Sequence, residues 1–165
     1  MNKTVIIIPS RLNALRLPNK PLELINKKEM ILHVYEAAKK TKMGDIYVAT
    51  PDQKIVDVIT NNGGKAILTS LDHQTGTDRV YEVFKNELKK EPSIIINLQG
   101  DMPNIDPKDI TDLVLYMKKG ECDIGTLASQ FNSKEEQADE NNVKVAVKEK
   151  LKSDNFGKAT DFFRT

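Results

Sequence analysis

Three cations share one short loop near the start of the chain, Arg11, Arg16 and Lys20, with Pro18 and Pro21 beside them. A cation within ~4 Å of a phosphate oxygen is worth about 4 kcal/mol at an effective dielectric of ~20. Three together suit a polyanion such as a triphosphate better than a single carboxylate. The plainer reading, a solvated charged loop, stands beside it, and the prolines argue mildly for a stiff loop.

A second loop, Thr69 to Arg79, is dense in hydrogen-bonding groups. Its Thr75-Gly76-Thr77 can open a helix and offer backbone N–H groups to a ligand; alternatively Thr77 is only an N-cap. His73 alone carries no acid–base role. A third loop runs Asn97-Leu98-Gln99-Gly100-Asp101-Met102-Pro103. A carboxylate at Asp101 is placed to hold Mg²⁺, a hard cation that shares oxygen ligands with phosphates; a turn aspartate bonding its own backbone is the alternative. Gly63-Gly64-Lys65 lacks P-loop spacing, and no HExxH, CxxC or GxSxG occurs.

These loops need strands to present them. Thr4–Ile8 is apolar and β-branched and stops at Pro9, as expected of a strand covered on both faces. Met30–Lys40 carries Ile31, Val34, Tyr35 and Ala38 at helical spacing and ends in lysines. Ile46–Ala49 reads as a strand. Asp52 is expected to cap a helix with Ile55, Val56 and Ile59 inward, stopped by Gly63-Gly64. Lys65–Leu68 reads as a strand, then Val80, Tyr81, Phe84 and Leu88 mark a helix ended by Pro92. Ile94–Ile96 is a fourth strand, and Ile110, Leu113, Val114 and Met117 a fourth helix.

Strand–helix alternation predicts an α/β fold with a largely parallel sheet and right-handed crossovers. Ligands in such sheets collect beyond the carboxyl ends of the strands, so the polar loops would share one rim. After Cys122 the pattern changes. Ile124–Ala128 and Val143–Val147 read as added antiparallel strands, with Ser133–Asn142 between them as a short solvated helix or a mobile loop. The 165 residues are read as one domain.

A net charge of +1 and 5% aromatic residues give no basis for nucleic-acid binding. No apolar run approaches the ~20 residues that cross a bilayer. The single cysteine excludes an internal disulfide and a cysteine metal cluster. These features favour a cytoplasmic protein.

Taken together, the motifs resemble the 3-deoxy-manno-octulosonate (KDO) cytidylyltransferases, the CMP-KDO synthetases. IIPSRLNALRLPNKPL is similar to the family's IPAR-x₄-RLPGKPL opening, VATPD to its VATDD-like segment, DHQTGTDR to H-x-SGT-D/E-R, and NLQGDMP to NVQGDEP; NNVKVAV continues the match. The resemblance implies a Rossmann-like nucleotide-diphospho-sugar transferase fold: a mainly parallel sheet flanked by helices, with added antiparallel strands. It implies a Mg²⁺-dependent enzyme that joins CTP to KDO for lipopolysaccharide synthesis, homodimeric at full length. Arg11, Arg16 and Lys20 match phosphate-binding positions, and Pro9, Ser10, Thr75, Gly76 and Thr77 match positions lining the cytidine pocket. Gln99 matches a nucleotide contact and Asp101 a Mg²⁺ ligand.

Departures fall at Ala14, Leu15, Asn19, Pro51, Met102 and Gly157-Lys158; none removes the basic triad or Asp101. The family continues well past residue 165. The chain is therefore read as the nucleotide-binding portion, incomplete at its C-terminus, with most of the sugar-acid pocket and a second metal ligand beyond it. Two other readings stay open: a catalytically incomplete CTP-binding domain, and a cytidylyltransferase for another sugar acid.

Overall fold

The computed structural model describes residues 3–13, 17–89, 91–149, 151 and 156–164. In chain order its elements begin with strand β1 (Thr4–Pro9), a 3-10 turn (Lys20–Leu22), the short strands β2 (Leu24–Ile25) and β3 (Lys28–Glu29), and helix α1 (Met30–Thr41). Then follow β4 (Asp45–Thr50), α2 (Gln53–Asn61), β5 (Ala66–Leu68), α3 (Gly76–Asn86), β6 (Ile94–Asn97) and α4 (Pro107–Met117). The last elements are α5 (Lys134–Ala138), β7 (Lys144–Val147) and β8 (Ala159–Phe163). The sequence treats residues 1–165 as one domain; the structure divides them into two compact units, Met1–Gly125 and Thr126–Thr165.

The first unit is built on a four-stranded sheet in the order β5-β4-β1-β6, every pairing parallel. The continuous apolar run of β1 makes sense in its central place. Ile6 and Ile8 point into one buried cluster with Ile31 and Val34 of α1, Ile55 and Ile59 of α2, and Ile110 of α4. Val5 and Ile7 point to the other face, against Val80 and Val83 of α3. Each such side chain, fully buried, is worth roughly 1.5–3 kcal/mol, so β1 anchors both layers.

The chain walks from β1 outward through β4 to β5, then returns on α3 to place β6 on the other side of β1. The reversal makes the carboxyl ends of β1 and β6 a switch point, where two loops diverge and leave a crevice. Ile7 pairs with Asn97 there, and the Leu98 N–H donates to the Ile7 carbonyl (3.0 Å).

Local chemistry explains most boundaries. Helix α1 ends on Lys42 in the left-handed conformation (φ 55°) after Lys39 and Lys40. The two-residue turn at Asn26-Lys27 has positive φ at both positions, the geometry that tight hairpins prefer. An inferred face and an inferred cap differ from expectation. Tyr81 lies on the outer face of α3, 56% exposed, and Val83 takes the buried place. Asp52 stands at the N-cap of α2, but its side chain makes no cap bond; Oδ2 instead accepts the Leu12 N–H at 2.8 Å.

In the second unit, Ser133 caps α5, its Oγ accepting the Glu136 N–H (3.1 Å). Strands β7 and β8 pair antiparallel with an irregularity at Ala146/Val147. Val143–Val147 thus forms the expected added strand, starting at Lys144. Residues 124–128 do not: they carry no ladder, and Ile124 is 88% exposed. A short run with apolar residues forms a strand only where a neighbour supplies hydrogen bonds. The neighbour of β7 is β8, which uses Phe162 and Phe163. The buried Lys144 ammonium donates to the carbonyls of Asp139 (2.8 Å) and Arg164, tying the end of α5 to the residue that follows β8.

Candidate active site

At the switch point lies a cavity of about 310 Å³ whose walls come from all three rim loops. The first loop leaves the buried end of β1 at Pro9. Ser10 is buried and its N–H donates to the Ala49 carbonyl (2.9 Å), which keeps the loop's root against β4. The far end is closed by the Asn19 N–H donating to the Leu12 carbonyl (3.0 Å). Asn19 has φ 58°, the left-handed region that asparagine tolerates better than most residues. Lys20 and Pro21 follow in the 3-10 turn, where proline's missing N–H costs nothing. Arg11 and Lys20 both line the cavity. Arg16 lies outside the described residues.

The second loop turns into α3 through a capping box. The Thr75 hydroxyl accepts the Asp78 N–H (3.1 Å), and Asp78 accepts the Thr75 N–H (3.2 Å). Thr75 rather than Thr77 is therefore the N-cap. Its hydroxyl bond to the Asp78 carboxylate (2.6 Å) is the main reason that carboxyl titrates below the ordinary range. The box satisfies two amides, those of Thr75 and Asp78, and leaves Gly76 and Thr77 among the first-turn N–H groups that have no intrahelical acceptor. These sit where an anion is favoured by the helix dipole. Thr75 and Gly76 line the cavity. Thr77 does not line it; its hydroxyl accepts from Asn97 (3.4 Å), and Asn97 Oδ1 in turn accepts from the Gln99 amide (2.8 Å).

The third loop brings Gln99, Gly100 and Asp101 to the opposite wall. A Cβ on Gly100 would stand 2.9 Å from the Pro9 carbonyl oxygen and 3.3 Å from Ser10 Cβ. The glycine lets this loop close on the first. With the loops that near, the Lys20 ammonium reaches the Asp101 carboxylate at 2.9 Å.

Two cavity residues have a place that the motif reading left empty, Arg79 and His73. Arg79 is 2% exposed; its guanidinium donates to the Thr69 hydroxyl and to the Ser70 carbonyl (2.9 Å). Burial, and then the nearby charge of Arg11, lower its pKa from the ordinary arginine value. His73 Nε2 lies 2.5 Å from the Glu82 carboxylate, which also accepts the Ser70 N–H (3.0 Å). Burial pushes the Glu82 carboxyl up, but the bonds from His73 and Ser70 and the charges of His73 and Arg79 bring it below the usual range. Helical spacing carries a signal for Arg79: it precedes Val80 and lies four residues before Val83, on the buried face of α3.

Of the residues singled out from sequence, Pro9, Ser10, Arg11, Lys20, Thr75, Gly76, Gln99 and Asp101 thus converge on one cavity. Among the described residues, no group of three or more His, Cys, Asp or Glu gathers around a point that would hold a metal ion. A single carboxylate beside phosphate-seeking cations still suits Mg²⁺, which usually takes one or two carboxylates and draws its other ligands from phosphates and water.

The chain is similar to known proteins along most of its length. The family model described as cytidylyltransferase matches residues 5–165. The 3-deoxy-manno-octulosonate cytidylyltransferase of Brucella ovis is 41% identical over 144 residues, 87% of this chain and 57% of the relative. That of Thermodesulfovibrio yellowstonii is 43% identical over 148 residues, 86% of this chain and 58% of the relative. The solved structure of a CMP:2-keto-3-deoxy-manno-octonic acid synthetase complexed with CTP superposes with a TM-score of 0.82 at 38% identity. It covers 99% of this chain and 64% of that one. A cytidylyltransferase from Leptospira borgpetersenii shares the fold (TM-score 0.62) at 23% identity, over 72% of this chain and 50% of that one. The chain spans a little over half the length of these curated relatives.

Proposed function

This chain belongs to the cytidylyltransferase family, and we propose that the protein it forms part of transfers the cytidylyl group of CTP to KDO. The anomeric hydroxyl of the sugar acid attacks the α-phosphorus, its proton is lost, and pyrophosphate leaves. One observation carries this reading: Arg11, Lys20, Gln99, Asp101 and the start of α3 meet in one cavity at the sheet's switch point.

The residues divide the work by chemistry. Arg11 and Lys20, with Arg16, hold the triphosphate and stabilise the charge that grows on the departing pyrophosphate. The first-turn amides of α3 favour an anion in the same crevice. Pro9, Ser10, Thr75, Gly76, Thr77 and Gln99 belong to the nucleoside's side of the reading, with Thr77 acting through Asn97 and Gln99. Asp101 would hold Mg²⁺, which when bound neutralises phosphate charge. Catalysis is then mostly orientation and electrostatics, with little covalent work for the protein. The same reading makes the whole protein a cytoplasmic homodimer in lipopolysaccharide synthesis, with no nucleic acid or membrane partner.

The test is pyrophosphate release and CMP–sugar formation by the whole protein with Mg²⁺ and CTP, across a panel of acceptors. Turnover with KDO and none with N-acetylneuraminate is expected. Turnover with the latter alone would replace KDO by another sugar acid. CTP binding without turnover on any acceptor would leave a nucleotide-binding protein.

A further inference from the structure

The pairing of β1 with β4 does not stop where β1 ends. Ser10 continues it, its N–H donating to the Ala49 carbonyl (2.9 Å). In a parallel ladder the next donor is two residues on, at Leu12, and its acceptor would be the carbonyl of Pro51. The Leu12 N–H goes instead to Oδ2 of Asp52, at 2.8 Å. A side chain has taken over the position of a backbone acceptor. The Asp52 N–H is itself held by the hydroxyl of the fully buried Thr50 (3.1 Å), so the carboxylate is steadied from its own backbone.

The other side of the same residue is also engaged. The Leu12 carbonyl accepts the Asn19 N–H (3.0 Å), and Leu12 packs against the core. Leu12 is therefore a clasp at the base of the loop, with its N–H held by Asp52 and its carbonyl by Asn19. Arg11 directly precedes one bonded residue and Lys20 directly follows the other, and both cations line the cavity. The diversion has a cost for α2, which begins without the side-chain cap that an aspartate at this position ordinarily supplies.

We infer that Asp52 is a positioning residue for the phosphate cations: through Leu12 it sets where Arg11 and Lys20 stand. It acts on the loop and not on the substrate. The inference rests on the reading of this loop as the triphosphate site. Asp52 also adds a negative charge close enough to favour the charged form of buried Arg79, which strengthens its place within the same cluster.

The experiment compares Asp52→Ala with Asp52→Asn in the whole protein, since asparagine keeps an acceptor oxygen and loses the charge. Amide hydrogen exchange at Leu12 and Asn19 is read without nucleotide, with the Ile6 and Ile7 amides as the internal control. CTP affinity in Mg²⁺ and the KM for each substrate are read separately. In Asp52→Ala, exchange at Leu12 and Asn19 should quicken at least ~10-fold, CTP binding weaken about tenfold, and KM for CTP rise while KM for the sugar acid holds. That scale follows from losing one hydrogen bond to a charged acceptor. Asp52→Asn should return all of these to within about threefold of wild type. The inference is overturned by unchanged exchange at Leu12 in the alanine variant, by equal acceleration at Ile6 and Ile7, or by an asparagine variant as impaired as alanine. If the wild type does not bind CTP, the triphosphate reading falls by itself, and the exchange data still decide the clasp.

Discussion

The Lys20 ammonium and the Asp101 carboxylate stand 2.9 Å apart, joined across 81 positions of sequence. Sequence motifs assign the first to phosphate and the second to metal, yet here each is the other's partner. Both side chains are well exposed, and exposed ion pairs contribute only about 0–1 kcal/mol. The pair therefore does little for the fold and can be exchanged at small cost. It holds both groups at one cavity, where phosphate and Mg²⁺ would take their places on the proposed reading.

Lys20→Ala should accordingly lower kcat by ~10²–10³, the scale of losing one group that stabilises transition-state charge. The melting temperature should hardly move. Steady-state kinetics of the whole protein beside a thermal unfolding curve checks both halves. Near-normal turnover would remove Lys20 from the mechanism.

Gly100→Ala should be harmful although only a methyl group is added. The new Cβ would meet the Pro9 carbonyl oxygen at 2.9 Å and Ile31 Cδ1 at 3.2 Å. Overpacking of this kind typically costs 1–3 kcal/mol, and relief would push the third loop off the first. Weaker CTP binding together with a lowered unfolding midpoint in urea is the expected pair of results.

Arg79→Met replaces a buried guanidinium by an apolar chain of similar length. Thr69 and the Ser70 carbonyl lose their donor, a loss of roughly 1–3 kcal/mol for groups left unsatisfied. Urea unfolding should register it, and calorimetry should register weaker CTP binding because the cavity loses a cation. A variant with wild-type stability would mean that solvent replaces those bonds fully.

Glu82 gives a pH dependence with a definite sign. Its folded-state pKa lies below the ordinary value, so the folded state binds the proton less readily than the unfolded chain. The stability this contributes is complete above the ordinary glutamate pKa, about 4.3. It is lost as pH falls through the lower folded value. Urea unfolding of wild type and Glu82→Gln between neutral and acidic pH should show the wild-type advantage shrinking over that acidic window. An advantage constant with pH would sink the assignment.

Much of this fold is legible along the chain because its signals are local. Val5–Ile8 is apolar at every position and is cut short by Pro9, the pattern of a short strand covered on both faces. Ile31, Val34 and Ala38, or Ile55 and Ile59, repeat at the helical period because one side of each helix faces the sheet. Tyr81 misled because an aromatic ring at helical spacing suggests the core, while Val83 joins Val80 against Val5 and Ile7 of β1 and the ring stays outside. Residues 124–128 misled because a short stretch of strand-compatible residues says nothing of whether a partner strand lies beside it.

The sequence by itself determined the order of strands and helices, the polar character of the rim loops, and the residue types able to meet a triphosphate. Those properties belong to single segments, where side-chain period, proline, glycine and charge act within a few residues. Tertiary structure alone decided which groups meet. It paired Lys20 with Asp101, set Arg79 in the wall of the cavity, and turned Asp52 from the cap of α2 to the N–H of Leu12. Each of those contacts spans a sheet edge or a loop crossing. Its geometry depends on strand order and register, which place residues 40 or 81 positions apart within a hydrogen bond of each other.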